Sequence, residues 1–270
     1  MSLQDIKIGC IGAGNMGGAI LSGLSQSIPP HQLTVFDIES NRTETLAKKF
    51  KINSVSSLKD LIKFSDIIII AVKPDTVSAV LKDMKSDLID EALISIAAGI
   101  PIGEISSIVG TEIEIIRAMP NTPALIGQGM TVISCNAACS DKTKKIALKI
   151  FSEVGEVLEL KETLMDAVTG TSGSGPAYVF TFIQAMTDGA VKMGIPRKEA
   201  QLLAAKTIEG AAKMVLDTRE DPISLRGKVT SPGGTTIEGV HVLERKGFSG
   251  IVMDAVEKAT LKSKDLGEKK

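Results

Sequence analysis

Gly12-Ala13-Gly14-Asn15-Met16-Gly17 has the form G-x-G-x-x-G and sits between a short β-branched run and an apolar stretch at helical spacing. Each glycine has its own use in such a place. Gly12 permits a tight turn, Gly14 lets backbone approach a pyrophosphate, and Gly17 lets a helix pack closely on a sheet. A helix that starts there points unpaired N–H groups at anionic oxygens. Asp37 follows Gly17 by 20 residues, at the expected end of the second strand, where a carboxylate can accept from a ribose 2′-hydroxyl. Strand, glycines, helix and acid together predict a dinucleotide site built from Gly12, Ala13, Gly14, Asn15, Met16, Gly17 and Asp37. A carboxylate at this position repels a 2′-phosphate, so the residues lean toward NADH. Arg42, one turn into the next helix, could swing to a phosphate and leaves NADPH open.

Ligands of open α/β sheets sit beyond the carboxyl ends of the strands. Three further strand ends carry small or rigid segments: Ala71-Val72-Lys73-Pro74, Ala97-Ala98-Gly99 and Met119-Pro120-Asn121-Thr122-Pro123. The first puts a lysine at the edge, and the alanines of the second admit a flat nicotinamide ring. A separate glycine-rich turn, Ser231-Pro232-Gly233-Gly234-Thr235-Thr236, enters a helical stretch and can gather N–H groups into an anion site. Thr236 would add a neutral hydroxyl donor. Taken locally, the same turn could simply cap a helix, with Thr235 or Thr236 satisfying its free N–H groups.

The elements that must position these residues follow from periodicity. Residues 6–11, 33–37, 66–72, 92–96, 113–118, 130–134 and 156–160 read as strands, with helices expected over 16–25, 42–50 and 141–151. Strands alternating with amphipathic helices predict a parallel sheet covered on both faces. From about residue 165 apolar residues recur at helical spacing through 178–193, 199–216, 235–246 and 251–261, with Pro196 as a first helical residue. The predicted division is 1–164 for the nucleotide domain and 165–270 for an all-helical domain. Its helices are apolar on more than one face, which implies burial against another subunit. The charged tail 262–270 is expected to fray.

Composition bounds the alternatives. With 31 basic and 32 acidic residues the net charge is −1, which gives no sign of a polyanionic partner, and the absence of Trp argues against base-stacking platforms. Cys10, Cys135 and Cys139 form no C-x-x-C pair and only His31 and His241 could join them, so no metal site is expected. Cys10 reads as a core thiol and the other two as incidental. Asp5 and Lys7 precede only a short apolar run, unlike a secretory signal, and residues 67–72 are too few to span a membrane. A cytoplasmic protein without nucleic-acid or membrane partners is the expectation.

Read together, these segments resemble pyrroline-5-carboxylate reductases along the whole chain. The likeness includes Arg117-Ala118-Met119-Pro120-Asn121-Thr122-Pro123 and Thr169-Gly170-Thr171-Ser172-Gly173-Ser174-Gly175-Pro176-Ala177-Tyr178. Most specific is Val229-Thr230-Ser231-Pro232-Gly233-Gly234-Thr235-Thr236. The resemblance implies an α/β fold: a Rossmann-type, mostly parallel sheet followed by an all-helical dimerisation domain, with dimers that can assemble into a ring of five. It implies reduction of 1-pyrroline-5-carboxylate to L-proline with NADPH or NADH. By motif, Gly234, Thr235, Thr236 and Asn121 would bind substrate, and Thr236 and Lys73 would act in catalysis. Ala71, Val72, Lys73, Pro74, Ala97 and Ala98 would complete the cofactor site. Asp37 and Leu58 depart from the family's pattern at the adenosine end. A β-hydroxyacid-type dehydrogenase is disfavoured because residues 170–176 lack a lysine, and the intact 231–236 turn speaks against a non-catalytic dinucleotide sensor.

Overall fold

The structure is a computed structural model and describes residues 3–268. The first half of the chain forms β1 (Ile8–Ile11), α1 (Asn15–Ser27), β2 (Leu33–Phe36), α2 (Ser40–Phe50), β3 (Asn53–Ser54), α3 (Leu58–Phe64), β4 (Ile67–Ile70), α4 (Pro74–Met84), β5 (Ala92–Ser95), α5 (Ile102–Val109), β6 (Ile115–Met119), β7 (Gly129–Cys135), α6 (Asp141–Ser152) and β8 (Gly155–Glu159). The strands join in one sheet of order β3-β2-β1-β4-β5-β6-β7-β8. Every pair is parallel except β6 with β7, where Ile116 faces Cys135 and Met119 faces Val132. The order reverses between β1 and β4, which leaves a crevice at their carboxyl ends.

The alternation of strand side chains feeds two cores. Ile8, Cys10, Leu33, Val35, Ile67 and Ile69 point to one face, against Ile20, Leu21 and Leu24 of α1 and Ile146, Ile150 and Phe151 of α6. Ile11, Ile68, Ile70 and Leu93 point to the other, against α3, α4 and α5. A strand of four isoleucines is stable only because both faces are covered. Leu58 packs on this second core. The expected strands are all present, with β1, β2, β4 and β5 shorter than expected, β6 and β8 shifted and β7 longer and antiparallel to β6; β3, a two-residue exposed edge strand, is one that no periodicity marks.

The second half forms α7 (Met165–Val168), a π-helical turn at Thr169–Gly173, α8 (Gly175–Lys192), α9 (Arg197–Thr218), α10 (Pro222–Lys228), α11 (Thr235–Arg245) and α12 (Phe248–Glu268). Pro196 is the cap before α9, not its first residue. The expectation of a frayed tail is corrected through Glu268, which closes a 21-residue helix; residues 269 and 270 lie outside the described residues. Two compact units result. One runs to Ser174 and includes the chain end from Lys258, and the other is Gly175–Glu257.

A partly buried ionic cluster around the buried Arg117 ties the chain end to the sheet. Arg117 of β6 lies 3.5 Å from Glu162 Oε1 and 3.6 Å from Asp166 Oδ1. The buried Ser263 of α12 donates to Asp166 at 2.7 Å, and the Ile102 N–H that opens α5 donates to Glu162 at 2.6 Å. The unit Gly175–Glu257 is different in kind. Among the described residues, Ala200 and Ala204 are its only buried apolar side chains, while Phe180, Leu202, Leu203, Met214, Leu216 and Met253 are exposed. A surface so apolar marks an interaction face.

Candidate active site

The glycine turn ends β1 and starts α1. Gly12 has φ +107°, and a Cβ there would meet the Ala71 carbonyl oxygen at 2.5 Å. A Cβ on Gly17 would meet the Gly12 carbonyl oxygen at 2.2 Å. Contacts within the protein therefore account for both. They do not account for Gly14, where a Cβ would find nothing within 4 Å. Gly14 is also the N-cap of α1, and no side chain caps it. Open space beside an uncapped helix start is what a pyrophosphate needs, so the residues fit a dinucleotide.

Asp37 lies just past β2, where its Oδ2 accepts from the Ala13 N–H at 2.7 Å and its Oδ1 from the Glu39 N–H at 2.9 Å. These bonds fix the carboxylate against the glycine turn, and each oxygen keeps a lone pair for a hydroxyl. Arg42 pairs with Glu39 at 2.9 Å, both about half exposed. A cleft of about 550 Å³ brings Gly12, Gly14, Asn15, Asp37, Arg42 and Lys73 together.

The neighbouring strand ends complete this edge. The Ala71 N–H donates to the Ile11 carbonyl at 2.8 Å, and Lys73, exposed, is the cap before Pro74 opens α4. Ala97 is buried and Ala98 partly so. The adjoining Gly99, at φ +73°, lies against α12, where a Cβ would meet Leu266 Cβ at 3.3 Å. Asn121 follows β6 with its amide engaged. Its Oδ1 accepts from the Met130 N–H at 2.9 Å, and its Nδ2 donates to the Ser172 carbonyl and hydroxyl at 3.2 and 3.3 Å. Asn121 thus joins β7 to the π-helical turn.

The other predicted residues belong to the helical unit. Ser231–Thr236 links α10 to α11, with Gly233 at φ +67°. The Gly234 N–H donates to the Ser231 carbonyl at 3.1 Å. Gly234 is the N-cap of α11 and again no side chain caps it. Thr235 and Thr236 are therefore not cap residues; Thr235 is exposed and Thr236 partly buried. His241 is an exposed residue of α11.

Two features escaped prediction. The Arg117 cluster had a signal, a lone charge inside the apolar strand Ile-Ile-Arg-Ala-Met. The π-helical turn had none beyond its glycines, although such turns often mark functional positions.

Comparison with known proteins places both halves. Residues 162–266 match the family described as pyrroline-5-carboxylate reductase dimerisation, and residues 7–99 match NADP oxidoreductase coenzyme F420-dependent. The pyrroline-5-carboxylate reductase of Escherichia coli is 44% identical, covering 98% of this chain and 100% of that protein. The Methanosarcina acetivorans enzyme is 42% identical over 99% and 100%. The crystal structure of the Plasmodium falciparum pyrroline carboxylate reductase with NADP bound superposes with TM-score 0.89 at 37% identity, covering 98% of this chain and 99% of that one. An uncapped glycine start on the sheet, a second on the helices and full-length likeness thus converge, and the chain belongs to the pyrroline-5-carboxylate reductase family.

Proposed function

We infer that this chain reduces 1-pyrroline-5-carboxylate to L-proline with hydride from NADH or NADPH. Full-length identity above 40% to reductases of this name carries the reading, and the two uncapped helix starts supply its chemistry. Residues 1–164 bind the dinucleotide, and residues 165–270 bind substrate and dimerise. Gly12, Ala13, Gly14, Asn15, Met16 and Gly17 hold the pyrophosphate, and Asp37 takes the ribose. Ala71, Val72, Lys73, Pro74, Ala97 and Ala98 shape the nicotinamide end. When bound, the dinucleotide supplies the hydride.

The substrate is a cyclic imine bearing one carboxylate, and a protonated C=N accepts hydride without a metal. The site must orient the ring and protonate its nitrogen. The N–H groups at Gly234, Thr235 and Thr236 hold the carboxylate, and the Thr236 hydroxyl donates to the ring nitrogen without burying another charge. Lys73 stands at the reacting edge. Asn121, its amide already bonded to Ser172 and Met130, acts by fixing the wall of the substrate pocket.

Asp37 favours NADH by repelling a 2′-phosphate. The chain self-associates through its dimerisation domain, and five such dimers close a ring. Three free thiols suit a reducing cytoplasm; no helix among the described residues is long and apolar enough to cross a membrane. Loss of reduced nicotinamide absorbance with 1-pyrroline-5-carboxylate, and no gain of it from the oxidised dinucleotide with hydroxyacids, is the expected assay result. Dinucleotide binding without turnover would overturn the reading, and a solution mass of two rather than ten chains would remove the ring.

A further inference from the structure

Cys135 and Cys139 lie at the opposite edge of the sheet from the glycine turn. Cys135 ends β7 beside Ile116, near the amino end of β6, whereas the cofactor residues follow the carboxyl ends of the parallel strands. The four residues from Asn136 to Cys139 form a turn closed by the Cys139 N–H donating to the Asn136 carbonyl at 3.3 Å. Asn136 fastens that turn to the start of β6. Its N–H donates to the Ile115 carbonyl at 2.9 Å, its Oδ1 accepts from the Ile115 N–H at 3.0 Å, and its Nδ2 donates to the Ile113 carbonyl at 2.8 Å.

The turn folds Cys139 back onto the strand end. Both thiols pack on the margin of the first core, neither buried nor fully exposed, and the turn brings Cys139 back toward Cys135. Cys139 also reaches the Ser140 carbonyl at 3.7 Å.

We propose that Cys135 and Cys139 form a reversible dithiol–disulfide site, closed by peroxide and reopened by small thiols. The roles of the two sulfurs differ. Once Cys135 ionises, the Cys139 proton can turn from the Ser140 carbonyl to it, and that bond holds Cys135 below the ordinary thiol value, helped by Lys144 and opposed by burial and by the carboxylates of Glu159 and Glu114. The same bond and burial push Cys139 up. Cys135 is the attacking thiolate and Cys139 the resolving thiol. In the first step Cys135 sulfur bonds to one peroxide oxygen, the O–O bond breaks, and the departing hydroxide is protonated to water. In the second, Cys139 sulfur displaces the hydroxyl of the Cys135 sulfenic acid, its own proton leaving with that hydroxyl as water. Two electrons pass from the two thiols to one peroxide. Cys10 is an internal control, fully buried, its thiol pushed up to about 12 by burial and by Asp37.

The test is mass spectrometry of the full chain after brief exposure to hydrogen peroxide. The expected result is loss of about 2 Da, an internal 135–139 link on peptide mapping, and reversal by dithiothreitol. Cys139→Ser should instead hold a dimedone-reactive sulfenic acid on Cys135, a gain of about 16 Da before trapping. Cys135→Ser should form no internal link. Reduced, both variants should turn over pyrroline-5-carboxylate like the parent. No sulfenic acid on Cys135 in Cys139→Ser, an unchanged parent mass, or links only between chains would overturn the proposal.

Discussion

Two helices in this protein begin alike and are held differently. Both α1 and α11 start on an uncapped glycine, with φ −74° and ψ −172° at Gly14 and φ −80° and ψ 171° at Gly234. Both follow a turn with a positive-φ glycine, Gly12 or Gly233. The first turn is wedged into the sheet: its backbone bonds Phe36 at 2.8 Å and Asp37 at 2.7 Å, and it presses on Ala71. The second touches mainly itself, since a Cβ on Gly234 would meet only Ser231 atoms and one on Gly233 would meet nothing within 4 Å. A rigid start suits a large ligand met in one pose. A self-supported start suits a small anion whose binding settles the loop. On the proposed roles the same backbone device would serve cofactor and substrate, and mutations should separate them.

The largest separation is expected at Thr236. Thr236→Ala should lower kcat by about 100-fold, the usual cost of losing one preorganised donor in the transition state. Dinucleotide Kd, by fluorescence titration, should stay within about twofold, because α1 is untouched. An unchanged kcat would remove Thr236 from the proton-donating role. Gly14→Val comes next. With nothing within 4 Å, the added side chain should leave Tm within about 1 °C but raise dinucleotide Kd by about tenfold or more, since backbone approach at this position is what it blocks. Gly17→Ala is the contrasting variant: its Cβ collides with backbone at 2.2 Å, so it should lose Tm before any ligand is added. Equal Tm losses in both would mean that the first helix start is built for packing alone.

How far these two starts could be read from residues differs for a physical reason. The first was legible whole, because a run such as Ile67–Ile70 can only be a strand buried on both faces, and the glycines and Asp37 then fall at strand ends. The second was legible as a loop, but only the resemblance gave it a substrate. What stayed hidden rests on contacts distant in sequence. Residues 262–268 look like a solvated tail until Ser263 meets Asp166 and Leu266 meets Gly99. The antiparallel turn of β7 leaves no local mark, and neither does the engagement of the Asn121 amide by Ser172. The short helix α10 was different: Asp221 caps the Ile223 N–H at 2.8 Å with Pro222 in the first turn, a signal present in the sequence and passed over.

Asp37 tests what the rigid start selects. Asp37→Ser removes the charge facing a 2′-phosphate and keeps a hydroxyl acceptor for the Ala13 N–H. The ratio of kcat/KM with NADPH to that with NADH should rise by about tenfold, a modest figure because the site is open to solvent and salt. Activity with NADH should fall, since the ribose loses its acceptor. A ratio that does not move would assign cofactor choice to Arg42, and Arg42→Ala should then shift it instead.

The smallest effect belongs to a helix start that is fully capped and should therefore be silent in catalysis. Ser140 caps α6 through the Thr143 N–H at 3.2 Å. Glu114 fastens that cap, accepting from the Ser140 N–H at 2.6 Å and from the Thr143 hydroxyl. Burial pushes the Glu114 carboxyl up, but the bonds from Ser140 and Thr143 outweigh it and hold the group below its ordinary value of 4.5. A carboxyl lowered on folding stabilises the protein above its unfolded value, and that contribution fades as pH falls through the folded one. Glu114→Gln should therefore cost about 1–2 °C of Tm at neutral pH, with the gap to the parent closing below pH 4.5. Because the carboxyl is only partly buried, solvent screening keeps the effect small. Pyrroline-5-carboxylate turnover and both ligand affinities should be unchanged. A fall in turnover would mean that the Ser140 cap also serves the site.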